Sequence, residues 1–446
     1  MLFARKYPVK RFLDITVNTV CKYKKMNELE INCSQSGSLY FHWAILAMLT
    51  GSQFTMSLGA YAWGPLSPFL VNDLNISHVQ IGLFNSALFM ASGIISIPSG
   101  FFVDRFGAQP SLIICLIIMG FPFVLMALTK NYLLMVILSF VSGLGYGMIN
   151  QVSVKGIIQW FGSRTRGTAM GIKQTGVTLG VALGGVLLPA LAVNFNWNIA
   201  LLAAGLPMLG LALISLFFYR ECPVDGTGGT VNASSTPEHK SAAIKEASFL
   251  QILANPVIIS LLVTVPLLAL AQSCVMTFLV LYLTENIRLS VNLSGVCLTI
   301  IMIAGTLGRI VWAFLSDRFF RSDRKKPLIM ICLLGLISSL GLAYFPADIF
   351  VWAIFFWVVL MGFCFLGWNA LFYIMAAEVA GPALTGSITG VVLTMGWAGM
   401  VIGPLVFGWI VDVTGGYFWG WLMVAFCSAL NAFLLLISTF AGAKNV

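Results

Sequence analysis

Apolar residues run along this chain in long blocks rather than in alternation, and twelve such blocks can be placed. They cover approximately residues 41–70, 79–102, 111–129, 132–157, 168–193, 196–219, 252–283, 291–315, 327–345, 349–375, 384–411 and 416–442. A helix rises about 1.5 Å per residue and needs about 20 apolar residues to cross the hydrocarbon layer of a bilayer. Each block therefore predicts one membrane-spanning helix. Lipid leaves no unpaired backbone polar group solvated, so only helices or closed barrels can span it. Barrel strands would alternate apolar and polar positions, which these blocks do not. The predicted fold class is an all-α membrane protein of twelve transmembrane helices.

Polar sequence interrupts this pattern at length in two places. Residues 1–40 carry seven basic residues and no sustained apolar core, which predicts a basic cytoplasmic tail rather than a cleaved signal. Met26 opens a shorter lead-in, MNELEINCSQSGSLYFHW, and is a candidate translation start. N-terminal sequencing that found residues 1–25 intact on the native protein would remove that candidate. Residues 221–250, rich in Gly, Ser, Thr and Pro, predict a solvated cytoplasmic linker between helices six and seven. The expected organisation is a six-helix bundle over 41–220, the linker, and a second six-helix bundle over 251–442.

The two halves align with each other. At an offset of 213, Ser77 and Gly82 match Ser290 and Gly295, and Asp104-Arg105 matches Asp317-Arg318. After the loop FFRSDRKK the offset becomes 219. Gly143, Asn150, Gly167, Gly171, Gly180 and Gly184 then match Gly362, Asn369, Gly386, Gly390, Gly399 and Gly403. A shift that holds across consecutive helices implies an internal repeat, and parallel six-helix repeats are an architecture with a midplane site between two rocking halves.

Charge adds topology. Only 9% of residues are charged and 59% are hydrophobic, against roughly 25% charged in soluble domains. Of 24 Lys and Arg, 20 fall in the N-terminal tail, the even-to-odd loops, adjoining helix ends or the C-terminal tail. By the positive-inside rule this predicts cytoplasmic termini, with Arg164, Arg166, Arg321, Arg324, Lys325 and Lys326 on the same side and Asp73, Glu285, Asp348 and Asp412 outside. The net charge of +9 thus reports topology and not a nucleic-acid partner. Nine scattered cysteines and three His supply no C-x-x-C spacing or ligand cluster, so neither disulfides, a metal, a cofactor nor an enzyme's nucleophile–base pair is indicated.

The loop GFFVDRFGAQP after the second helix is similar to the signature G-x-x-x-D-[RK]-x-G-[RK]-[RK] of the major facilitator superfamily. Gly100, Asp104, Arg105 and Gly107 match, while Ala108 and Gln109 replace basic residues. The second copy, AFLSDRFFRSDRKK, keeps Asp317 and Arg318 but has Ala313 in place of the Gly. The resemblance covers about 41–442 and implies a monomeric multi-pass transporter of the plasma (inner) membrane. It also implies that these loops gate, fastening the halves on the cytoplasmic side in the outward-facing state. GVALGG in helix five resembles the antiporter motif G-P-x-x-G-G, with Val181 replacing the proline.

Ionisable groups within spans cost roughly 2.5–3.5 kcal/mol near the bilayer centre, so each is a candidate site. Arg309 lies eight residues before Asp317, about 12 Å deep. The frame Arg309, Ala313, Asp317 resembles that of oxalate/formate and other carboxylate carriers, which implies that Arg309 holds a substrate anion. An arginine suits a carboxylate because its planar fork donates two parallel hydrogen bonds. A structural ion pair or snorkelling is the alternative. Lys173 is a candidate second cation or a snorkelling residue, and Lys155 an interface residue. The neutral candidates are Gln53, Tyr61, Tyr146, Asn150, Gln151, Gln272, Trp368 and Asn369. Asn150 and Asn369, at equivalent positions, are either paired ligands or paired interhelical hydrogen bonds. No buried carboxylate resembles a proton relay. The expected function is secondary active transport of a small organic anion, a carboxylate. Export of amphipathic compounds and a non-transporting membrane sensor are the alternatives.

Overall fold

The structure, a computed structural model, describes residues 39–162, 165–219, 255–320, 323–346 and 350–443. The linker 221–250, the tail up to residue 38, and Arg164, Arg321 and Asp348 lie outside the described residues. The protein is an all-α membrane protein of two pseudo-symmetric six-helix bundles. In the first bundle α1 spans Leu39–Ala60, α2 Trp63–Leu74, α3 His78–Phe106, α4 Ala108–Met126, α5 Tyr132–Trp160, α6 Arg166–Asn194 and α7 Trp197–Phe218. In the second, α8 spans Pro256–Glu285, α9 Val291–Arg318, α10 Lys325–Ala343, α11 Val351–Phe365, α12 Asn369–Thr414 and α13 Phe418–Ala443.

Two departures from the predicted spans have physical causes or consequences. The first span is broken at Tyr61–Ala62 into α1 and α2. Pro65 has no N–H, and its ring would clash with the carbonyl of Tyr61 in an unbroken helix. The tenth span is broken at Leu366–Trp368, and helix then continues from Asn369 through the expected loop to Thr414. At about 1.5 Å per residue, the 46 residues of α12 exceed twice the hydrocarbon thickness. Among the described residues of this helix, Thr394–Thr414 is long and apolar enough to cross a membrane.

The repeat is visible in how helices start and cross. Ser77 and Ser290 both N-cap their helices, accepting hydrogen bonds from the backbone N–H of Gln80 and Leu293, respectively. This supplies one of the donors that a helix start leaves unpaired. Where α5 crosses α3, a Cβ on Gly143 would overlap the carbonyl of Leu88. Where α11 crosses α9, a Cβ on Gly362 would overlap the carbonyl of Ile301, the residue 213 positions after Leu88. Within each bundle the matching pairs pack together: α3 on α5 and α9 on α11, α4 on α7 and α10 on α13, α1 on α6 and α8 on α12. Between bundles α3 packs on α12, α9 on α6, and α2 on α8.

Candidate functional site

The bundles meet along two seams whose contacts are equivalent under the repeat. On α3–α12, Gly82 lies against the carbonyl of Pro404; on α9–α6, Gly295 lies against the carbonyl of Gly185. Ser86 Oγ donates to the Val401 carbonyl at 2.6 Å, and Thr299 Oγ1 to the Ala182 carbonyl at 2.6 Å. Deeper in, Gly93 faces Trp397, and Thr306 Oγ1 is 3.2 Å from Thr178 Oγ1. Small residues allow this approach of helix backbones, and such hydrogen bonds in lipid are worth about 0.6 kcal/mol each.

One turn beyond Thr306 the equivalence ends, because Arg309 occupies the position of Ser96. A cavity of about 30 Å³ lies here between the bundles, with Tyr61 and Thr178 on one side and Gln272, Thr306 and Arg309 on the other. That is the volume of about one water molecule. Arg309 Nε donates to the Leu366 carbonyl at 3.1 Å, at the break between α11 and α12. Asn369 Nδ2 donates to the same carbonyl and to Gln272 Oε1, both at 3.3 Å. Trp368 Nε1 also reaches Gln272 Oε1, at 3.2 Å. The helix break thus presents a backbone oxygen that orients the guanidinium, and Gln272 ties the break to α8.

The other candidates gather inside the first bundle. Lys173 is 1% exposed, and its Nζ donates to Asn150 Oδ1 at 2.8 Å. It is not among the residues lining the central cavity. Gln151 Nε2 donates to the Ser96 carbonyl at 2.9 Å, so the position matching Arg309 is held by a neutral amide. Gln53 Nε2 lies 3.2 Å from Ser57 Oγ. The Tyr61 and Tyr146 rings both pack on Phe89, which stacks on Trp397 of the other bundle at 5.5 Å. Asn150 and Asn369 each hydrogen-bond across helices within their own bundle, one to Lys173 and the other to Gln272.

The Asp-Arg loops are tied within their own bundles. Lys155 Nζ lies 3.5 Å from Asp104 and donates to the Val103 carbonyl at 2.6 Å. Arg324 binds Asp317, and also Glu378 at 3.0 Å. Arg105 and Arg318 are exposed. Gly107 closes α3 with φ of 93°, a conformation that favours glycine, while the space beside Gly100 is open.

The opposite end is joined by charges that the sequence did not single out as a site. His78, the first residue of α3, places Nδ1 2.7 Å from Asp412 and Nε2 3.0 Å from Glu285. The backbone N–H groups of His78 and Val79 donate to the two oxygens of Asp412, each at 2.9 Å. A carboxylate of one bundle therefore caps a helix of the other, a placement favoured by the helix dipole. Glu285 also accepts from the Tyr417 hydroxyl at 2.6 Å. The only sequence signal was a histidine beside the Ser77 cap, and its partners lie 207 and 334 residues away.

Residues 49–404 match the Major Facilitator Superfamily, and the chain belongs to that family. A hexuronate transporter of Bacillus subtilis (strain 168) is 23% identical over 353 residues, covering 76% of this chain and 80% of that protein. The membrane sensor protein UhpC of Salmonella typhimurium is 23% identical over 328 residues, covering 71% of this chain and 73% of that protein. A crystal structure of a bacterial homolog to the human lysosomal transporter Spinster, in an inward-facing and occupied conformation, superposes with a TM-score of 0.74. That match covers 90% of this chain and 98% of the other at 16% identity, and it bears on the fold. The protein is thus a multi-pass membrane protein of a transporter family.

Proposed function

We propose that the chain is a secondary transporter that moves a small organic anion, a carboxylate, across the membrane by alternating access. The observation that carries this reading is Arg309 at the cavity between the bundles, oriented by the Leu366 carbonyl and accompanied by Gln272 and Tyr61. A guanidinium stays charged at any physiological pH and matches a carboxylate with two parallel donors. The similarity to a hexuronate transporter supports the same ligand chemistry. In this reading Arg309 holds the anion, while Gln272, Asn369 and Trp368 fix the helix break behind it. Lys173 lies outside the cavity lining and donates to Asn150 inside the first bundle. The positive-inside distribution puts the termini and the Asp104 and Asp317 loops in the cytoplasm and the His78 end outside. The bundles would then part at the cytoplasmic end to admit or release substrate, and at the His78 end in the opposite state, with the Asp-Arg loops fastening the cytoplasmic end.

Purified protein in proteoliposomes, offered labelled mono- and dicarboxylates and sugar acids with internal counter-substrate, tests this. Exchange that is abolished by Arg309→Ala and poorly restored by Arg309→Lys is the expected result. Undiminished exchange by Arg309→Ala would remove the assignment. The similarity to a membrane sensor favours one second reading, binding without turnover. Saturable anion binding in detergent with no uptake or counterflow in vesicles would establish it instead.

A further inference from the structure

We infer that His78, Glu285 and Asp412 form a proton-binding site built across the two bundles, and that closing this end of the protein takes up one proton. The argument is one of donors and acceptors. Both ring nitrogens of His78 face carboxylate oxygens, Nδ1 at 2.7 Å from Asp412 and Nε2 at 3.0 Å from Glu285. A neutral imidazole has one N–H and one lone pair, so one of these contacts would set a lone pair against a carboxylate oxygen. Only the imidazolium donates at both nitrogens. Further donors reach the same carboxylates: Asp412 Oδ1 and Oδ2 accept from the backbone N–H groups of His78 and Val79, and Glu285 Oε2, the oxygen that faces His78, also accepts from the Tyr417 hydroxyl. Accepting these bonds favours the ionised form of both carboxylates.

The placement makes the site conformational. His78 belongs to the first bundle, whereas Glu285, Asp412 and Tyr417 belong to the second. The arrangement exists only while α3 lies on α12 and α8. Arg288, in the loop after Glu285, makes none of the ion pairs of this cluster. A cavity of about 300 Å³ lined by His78, Glu285, Asp412 and Tyr417 gives water access to the site. When the bundles part here, the imidazolium loses both acceptors and returns its extra proton to that water. When they close, the ring binds a proton again. The equivalent positions on the other seam are Val291 and Val193, which cannot titrate. The site therefore acts on one seam only. Because one proton is bound, the ratio of closed to open states can rise by at most about tenfold per pH unit on acidification.

The inference is independent of the substrate and is tested without one. Spin labels on Asn75→Cys and Val413→Cys, one in each bundle, report the separation of this end in the full-length protein in nanodiscs. The closed distance is expected to gain population between pH 8.5 and 5.5, and His78→Gln is expected to abolish that dependence. Glu285→Gln, which keeps the histidine, is expected to shift the dependence to lower pH. A distance distribution insensitive to pH in the unmutated pair would overturn the inference, as would the same dependence in His78→Gln. Loss of anion exchange with pH-dependent distances intact would remove only the proposed substrate and leave this site standing.

Discussion

The α3–α12 and α9–α6 seams are two copies of one joint. Glycine meets backbone carbonyl in both, a hydroxyl crosses to a carbonyl 2.6 Å away in both, and these positions are related by shifts of 213 and 219 residues. They differ at their ends. At one end, α3–α12 has His78 on Asp412 where α9–α6 has Val291 and Val193. Deeper in, α9 carries Arg309 where α3 carries Ser96. The shared part can close the protein, because close backbone packing asks nothing of side-chain chemistry. The unshared parts are where a ligand or a proton can be told from lipid, since they place charged side chains between the bundles.

The comparison can be broken from either side. Arg309→Ala is expected to lower anion exchange by about 100-fold, the scale of losing a hydrogen-bonded charge of about 1.5–3 kcal/mol, whereas Ser96→Ala leaves exchange within about twofold. Similar losses in both would mean that the seams are functionally alike. Gly82→Ala and Gly295→Ala should each hinder closure by about 1–2 kcal/mol, or roughly tenfold in the closed population, and to the same extent. Spin-label distances across the His78 end measure this, and a large effect at only one glycine would show that one seam carries the closure. Ser86→Ala and Thr299→Val should each change that population by only about threefold, from about 0.6 kcal/mol per hydrogen bond.

The smallest effect is expected at Asp73, at the end of α2, which pairs with Lys130 at 2.8 Å and accepts from Trp197 Nε1 at 2.8 Å. Lys130 first, and then Trp197, holds its carboxyl below the usual carboxylate range. A depressed pKa contributes stability above the unfolded-state value of about 3.9, and that contribution is lost as pH falls through the folded-state value. Asp73→Asn should therefore lower the thermal midpoint of detergent-solubilised protein slightly at pH 7, with the difference vanishing toward pH 3.

Hydropathy and the aligned Ser77/Ser290 and Gly143/Gly362 pairs made the bundle and its repeat legible from the chain alone, because lipid imposes length and close crossings impose glycine. Arg309 was legible for a related reason: a charge within an apolar block stands out. The break at Leu366–Trp368 was not, since Gly367 also suits an ordinary close crossing, and no proline marks the place. Lys173 shows the limit of reading charge alone. Its depth was visible, but its direction, into the first bundle toward Asn150, follows from packing that no spacing encodes. The His78 cluster was invisible for want of locality.

The glycine contacts of the two seams also bear on speed. A joint made of interlocked side chains must freeze rotamers each time it shuts and free them each time it opens. Gly82 and Gly295 have no rotamers to freeze, so contact at those points adds no side-chain ordering cost. Turnover in such a carrier would be paced by how fast its charged ends let go rather than by repacking at these glycines.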